Sequence, residues 1–387
     1  MTVAHPVYAA MEPTIFEHMS GLARAHDAIN LGQGFPDAPP HPDMIDAATR
    51  ALTERSNQYP PAFGLPELRD AIAGFYAPRQ GLSLTREQVV VTSGATEALA
   101  AALLALVKPG DEVILFQPAY DSYAPMVLRA GGVPVSVPLS PPEWRYDATM
   151  LEAAITPRTR LLMFNDPLNP AGTVASDAEL AMIADTCQRH DLIAICDEVW
   201  EDVRFDGVRH RSLLSMPGME RRAVKIGSAG KIFGLTGWKV GWFCAAPDLA
   251  QALGRAHQFL TFTTPPALQW AVAEGLAKPD AWFAAQRAEW AAARSHLSAA
   301  LTCGGFAVLP GVATWFLCID LAASGLALPD REFSERAVRE AGVASIPVSA
   351  LFEGEGPNHI LRLCFAKDHA TLDEAVARLA AFRGTLL

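Results

Sequence analysis

The sequence predicts an α/β protein: a mainly parallel sheet with one antiparallel strand and helices on both faces, beside a smaller α+β domain. Two observations carry this. Between residues 88 and 246, short β-branched runs alternate with longer helical patterns, and several runs are apolar on both faces, as covered parallel strands must be. Beyond about residue 250 helical patterns dominate, and the chain closes with short strands and one more helix.

The runs, in order, are QVVVTS (88–93), DEVILFQP (111–118), VPVSVPL (133–139), RLLMFNDP (160–167), LIAICDEV (192–199), RAVKIGS (222–228) and WKVGWFCA (238–245). Helical patterns fall between most of them: ATEALAAALLALV, DSYAPMVLRA and SDAELAMIADTCQRH. The last two runs are joined by 229–237, which carries three glycines and has no room for a crossover helix. WKVGWFCA is therefore expected to run antiparallel to the rest. LAQALGRAHQFL, ALQWAVAEGLA and AWFAAQRAEWAAARSHLSAAL read as helices, FAVLP, TWFLCID and ILRLCFA as strands, and ATLDEAVARLAAF as the last helix. The expected division is a large domain over 46–284 and a small one formed by 1–45 plus 285–387.

The 387 residues are 50% hydrophobic and 19% charged, which suits a large filled core and disfavours disorder. A net charge of −11 argues against nucleic acid or an anionic membrane as a main partner. Cys187, Cys196, Cys244, Cys303, Cys318 and Cys364 form no CxxC and no metal-type spacing, so reduced thiols in a cytoplasmic protein are expected. MTVAHPVYAAMEP lacks a basic stretch followed by an apolar one, so no signal peptide is expected. The apolar region 305–328 is broken by Pro310, Gly311, Asp320 and Gly325, so no membrane span is expected.

Ligands of open α/β sheets sit beyond the carboxyl ends of the strands. There the sequence places Ser93-Gly94-Ala95-Thr96 before an apolar helix, a start that suits phosphate but is also a common helix cap. Other run ends supply Tyr120, Asn165, Asn169 and Asp197, with Trp200 following; a carboxylate at such an end is more often a turn cap than a site. The last is GSAGKIFGLTGWKVGW (227–242), with Ser228, Lys231 and Lys239. A lysine activated by burial beside another cation is a Schiff-base nucleophile. A carboxylate facing a pyridine nitrogen completes an electron sink. An anion cradle, a carboxylate, a lysine, an aromatic face and an amide together match the needs of pyridoxal phosphate. No metal cluster and no Ser/His/Asp set fits.

At these residues the chain resembles the fold-type-I, class I/II pyridoxal-phosphate-dependent aminotransferases, and most closely the branch holding kynurenine, glutamine and methionine aminotransferases. The resemblance runs nearly end to end, through INLGQGFPDAPP, NQYPPAFGLPELRDAIA, VVVTSGATEALAAAL, GDEVILFQPAYDSYAP, NPAGTV, CDEVWEDV, IGSAGKIFGLTGWKVGW and LRLCFAKD. It implies that Lys231 is the catalytic lysine that bonds the cofactor, and that Asp197 faces its pyridine nitrogen. Asn169 would bond the cofactor's phenolic oxygen and touch the substrate carboxylate, and Tyr120 would stack on the ring. Ala95, Thr96, Ser228 and Lys239 would hold the phosphate. Tyr59 would reach the partner subunit's phosphate, and Arg362, beside Gly34, would hold the substrate carboxylate by a two-pronged pair. It further implies a homodimer with shared sites, acting on amino acids and 2-oxo acids.

Two departures stand out. Trp200 occupies a position where the family usually has tyrosine; an indole N–H donates but cannot ionise as a phenol does. Phe262-Thr263 stands where kynurenine enzymes carry a Phe-His pair, which argues against an exclusively aromatic preference. His18 and His257 fall in helical patterns and read as exposed or satisfied histidines. Trp238, Trp242, Trp270, Trp282 and Trp290 read as core or interface, and Arg204 and Lys225 have no assigned role. Two other readings compete with transamination. A cysteine-S-conjugate β-lyase would use the same residues. A pyridoxal-phosphate-sensing transcription regulator would need a DNA-binding module ahead of INLGQGFP, for which no room is expected, and a different charge.

Overall fold

The computed structural model describes residues 4–387. After a two-residue strand β1 (Ile29–Asn30), the chain lays down β2 (Val89–Thr92), β3 (Glu112–Gln117), β4 (Val133–Pro138), β5 (Thr159–Asn165), β6 (Ile193–Asp197), β7 (Ala223–Ser228) and β8 (Gly241–Cys244). These seven form one sheet in the order β2-β8-β7-β6-β5-β3-β4. Its pairings are parallel except those of β8, which runs antiparallel to both β7 and β2.

Strands β2, β3, β7 and β8 are buried at every position, because helices cover both faces. The two-residue period of a strand divides their side chains. Val90, Val113, Ile195 and Phe243 pack with Leu99, Leu103 and Leu253 on one face. Val89, Val91, Ile114 and Trp242 pack with Ile72, Ile183 and Val272 on the other.

WKVGWFCA forms a strand over its second half alone. Trp238 closes a 3-10 turn and Lys239 takes a left-handed backbone, φ 54°. That conformation costs a non-glycine residue about 1–3 kcal/mol and is typical of functional sites. Here it turns Lys239 back over the start of the helix Ala95–Leu106, where its Nζ would lie 3.2 Å from a Cβ added at Gly94.

The rest of the chain adds β9 (Ala307–Val308), β10 (Phe316–Asp320), β11 (Val343–Ala344), β12 (Ile346–Pro347) and β13 (Ile360–Cys364). An antiparallel sheet of order β12-β13-β10-β9 results, while β1 pairs in parallel with β11 and so joins the N-terminal segment to this part. The helix Asp280–Cys303 runs through the expected boundary at 284/285. Residues 1–3 of the expected small domain lie outside the described residues. Among the described residues, no helix is long and apolar enough to cross a membrane.

Candidate active site

Strands β2, β5, β6 and β7 run in one direction, so their carboxyl ends share an edge of the sheet. A cavity of about 560 Å³ opens there, closed on its other side by Arg362 from β13, Phe316 from β10, and Phe16 and Gly34 from the N-terminal segment. Gly34, Ala95, Thr96, Tyr120, Asn169, Asp197, Trp200, Ser228, Lys231, Lys239 and Arg362 all line it. Tyr59 and Phe262 do not line this cavity. They stand outside it with rings 5.4 Å apart, 83% and 40% exposed.

The helix Ala95–Leu106 starts at Gly94, whose φ of 79° is left-handed and suits glycine, and no side chain caps it. A Cβ on Gly241 would fall 2.7 Å from the Ala95 nitrogen. Two glycines and an uncapped helix start, with Ser228 and Lys239 beside them, leave backbone N–H groups facing the cavity as an anion cradle.

Asp197 ends β6. Its Oδ2 accepts a hydrogen bond from the Tyr123 hydroxyl, while its Oδ1 is buried without a partner. Burial raises its pKa, against the Tyr123 bond, the Val199 N–H and the Lys231 charge. Asn165 fixes the floor: its Nδ2 donates to the Asp197 carbonyl at 2.9 Å and its Oδ1 accepts from the Asn169 N–H at 2.9 Å.

Lys231 lies in the short helix Ala229–Ile232. Its Nζ sits 4.7 Å from the Trp200 ring centroid and 5.4 Å from that of Trp315. Desolvation pulls its pKa down to about 8; Asp197 opposes this, and Arg362 adds to it. Trp200 meets Trp315 and Phe316 edge to face, with centroids 5.0 and 5.3 Å apart, so its ring wall faces the lysine.

Arg362 is 2% exposed. Its guanidinium donates to the Gly32 carbonyl at 2.6 Å and to Asn169 Oδ1 at 3.0 Å, and stacks on Phe316 at 3.9 Å. Its Nε has no partner. Burial lowers its pKa to about 10, more than Cys364, Cys318, Tyr120 and Asp121 nearby raise it. Gly34 is needed at this wall, since a Cβ there would lie 2.7 Å from the Phe316 ring.

Tyr123, Asn165, Phe16, Phe316 and Trp315 are groups at the site to which the sequence assigns no role. Tyr123 opens the helix Tyr123–Arg129 while Tyr120 lies before it, so no helical period pairs them in the sequence, although their rings meet 5.9 Å apart. Phe16 and Phe316 show no local signal. Lys225 lies away from the cavity, where it bonds Glu198 and Glu201 at 2.5 Å each. His210 lies within 4.8 Å of these carboxylates, a grouping of metal-ligand type that the Lys225 ammonium fills.

A family model described as aminotransferase class I and II matches residues 26–379. The chain belongs to the class I and II aminotransferases. A Probable N-succinyldiaminopimelate aminotransferase of Mycobacterium tuberculosis is 44% identical over 95% of both chains. The solved N-succinyldiaminopimelate aminotransferase of that organism superposes with a TM-score of 0.94 at 43% identity, covering 98% of this chain and 100% of that one. The methionine aminotransferase of Escherichia coli is 39% identical over 95% of both chains, and human kynurenine–oxoglutarate transaminase 1 is 35% identical over 94% of both. Aminotransferases of this family are pyridoxal 5′-phosphate enzymes that act on amino acids and 2-oxo acids. The site fits that cofactor: the unpartnered Asp197 Oδ1 suits a protonated ring nitrogen, the glycine cradle suits a phosphate, and Lys231 lines the same cavity.

Proposed function

We propose that this aminotransferase takes its amino group from a large neutral L-amino acid, aromatic or sulfur-containing, as a cytoplasmic homodimer. One observation carries the substrate class. Arg362 is a buried cation with no carboxylate partner, and the other cations on the cavity wall, Lys231 and Lys239, serve the cofactor. One substrate carboxylate is therefore matched, and among the described residues lining the cavity no further cation is left for a second. The remaining wall includes Phe16, Phe35, Tyr120 and Phe316, which suits an apolar side chain.

Ala95, Thr96, Ser228 and Lys239 would hold the phosphate, Asp197 the ring nitrogen, Asn169 and Trp200 the phenolic oxygen, and Tyr120 the ring face. When bound, the cofactor supplies the electron sink for the substrate Cα. Arg362 orients the amino acid by its carboxylate, with Asn169 beside it. Lys231, with a pKa near 8, takes the Cα proton as base and returns it as acid. Phe16 and Phe316, packed on the guanidinium at 4.8 and 3.9 Å, keep water from that pair.

The exposed apolar group Tyr59, Phe259, Leu260 and Phe262 supports the dimer, with Tyr59 and Phe262 serving the partner's site. Six unbridged cysteines support a reducing compartment. The β1–β11 pairing supports a small domain of 1–45 plus 285–387 beside a large one of 46–284.

A screen of amino donors against several 2-oxo acids tests the substrate class. Methionine or an aromatic donor should exceed glutamate and N-succinyldiaminopimelate by at least about tenfold in kcat/KM, the effect of one unpaired carboxylate. A preference for N-succinyldiaminopimelate would overturn the proposal. Pyruvate and ammonia released from a cysteine conjugate faster than amino transfer would establish the lyase instead.

A further inference from the structure

His257 lies in the helix Pro247–Gln258 and is 0% exposed. Its Nδ1 is 2.7 Å from Glu97 Oε1 and its Nε2 is 2.8 Å from the Ala62 carbonyl oxygen. A carboxylate and a backbone carbonyl both accept and cannot donate. Both ring nitrogens therefore carry protons, and the ring is an imidazolium.

Its partner is a hub. Glu97 Oε1 also accepts from the Thr261 hydroxyl at 2.6 Å, and Oε2 accepts from the Ser93 N–H. Three pieces of chain meet at this pair. One is the cradle, through Ser93 and the helix start at Ala95. The second is the segment around Ala62, three residues after Tyr59. The third is the turn at Thr261, next to Phe262, whose φ of 67° is left-handed. Ser93 Oγ also lies 3.2 Å from Thr264 Oγ1, and Gln269 bonds Leu65 N–H and the Thr264 carbonyl at 2.8 and 2.7 Å.

We infer that His257 is a positioning residue, a standing imidazolium that through Glu97 holds the anion cradle and the segments bearing Tyr59 and Phe262 in one frame. The cradle serves its own site, whereas Tyr59 and Phe262 project outward, so one buried ion pair sets the geometry of groups destined for two sites. This rests on the reading of Gly94–Thr96 as the phosphate cradle and of Tyr59 and Phe262 as groups that serve the partner.

The charges around the ring agree. Glu97 faces it from the helix Ala95–Leu106; the segment 60–63 presents the Ala62 carbonyl and the Phe63 ring, and the turn presents the Thr261 hydroxyl. The turn Arg86–Gln88, with Arg86 and Glu87, meets this chain segment at Ala245, the other end of the helix. Burial works against the His257 proton, but the Glu97 bond and charge and the Ala62 carbonyl outweigh it and raise the pKa. Glu97 is held below the usual carboxylate range: burial raises it, and His257, Thr261 and Ser93 more than reverse this. A raised histidine pKa means the clamp contributes fully below the ordinary histidine value and loosens as pH rises through the folded one.

Nitrogen NMR of histidine-labelled protein tests this, with the His257 ring assigned by the variants Glu97→Gln and His257→Gln. In the wild type the ring should show two protonated nitrogens from mildly acidic pH through pH 7.5, whether or not cofactor is bound. In Glu97→Gln the ring should titrate at lower pH, and pyridoxal phosphate retention should weaken by about tenfold with a pH profile that tracks the ring. A ring with a single protonated nitrogen at pH 7 in the wild type would overturn the imidazolium, whatever the variants do. A ring that titrates lower in Glu97→Gln while retention stays flat with pH would overturn the positioning role and leave the cofactor reading untouched.

Discussion

Lys225 and Lys231 are six residues apart, one inside β7 and one just past its end, yet they have opposite chemistry. Lys225 is sealed in the core, and burial alone would strip its proton. Glu198 and Glu201, each 2.5 Å away, reverse that and raise its pKa above the ordinary lysine value. Lys231 meets desolvation with one opposing carboxylate, Asp197, and with Arg362 and Lys239 pushing the other way, so its pKa falls to about 8. Burial by itself does not make a lysine reactive. The count and sign of its neighbours decide whether it becomes a structural ion or a proton carrier.

The largest effect is expected at Lys225. Lys225→Met leaves Glu198 and Glu201 together in the core with only His210 beside them, which should cost about 3–5 kcal/mol, seen as a large fall in denaturant midpoint. Lys225→Met combined with Glu201→Gln should recover part of that loss. An unchanged midpoint in the single variant would show that water or another cation reaches these carboxylates.

Arg362 sharpens the same argument at the substrate. Arg362→Lys keeps a charge but loses the fork that bonds Gly32 and Asn169 together. The Michaelis constant for every amino acid should rise about 10- to 100-fold, with amines lacking a carboxylate little changed. Equal losses for both substrate kinds would make Arg362 a structural residue.

The smallest effect is expected at Trp200, whose ring lies 4.7 Å from Lys231 Nζ. An indole face favours the ammonium over the amine, so Trp200→Leu should lower the Lys231 pKa of the cofactor-free protein by about half to one unit. The pH dependence of Lys231 modification by an amine-selective reagent measures it. An unchanged value would mean that Trp315, 5.4 Å away, carries the contact alone.

The seven strands of the large sheet were legible because each is an apolar run bounded by turn residues, and the antiparallel β8 because its connection is too short for a crossover. Of the two-residue strands, β9 falls inside the run FAVLP, whereas β1, β11 and β12 were not legible, since two residues hold no period. The cavity residues were readable as strand ends and helix starts, which local sequence marks. Their supports were not. Tyr123 bonds a carboxylate 74 positions away, and His257 bonds one 160 positions away, so the pairing exists only after the sheet has formed. The glycine-rich motif marked Lys231 in the sequence, whereas Lys225 was only a basic residue near a strand with no role to read. The role of Lys225 comes from the strand register that sets Cys196 beside it and so brings Glu198 and Glu201 under its ammonium.

The central claim is that Lys231, and not its neighbour Lys225 or the cradle's Lys239, is the lysine that meets the cofactor. Borohydride reduction of the protein loaded with pyridoxal phosphate, followed by peptide mapping, tests it most directly. A labelled peptide containing Lys231 is expected, with no label on Lys225 or Lys239. Lys231→Ala should keep its fold, bind pyridoxal phosphate without a covalent bond, and lose turnover by at least about 10⁴-fold. Label on another lysine, or substantial turnover in Lys231→Ala, would contradict it.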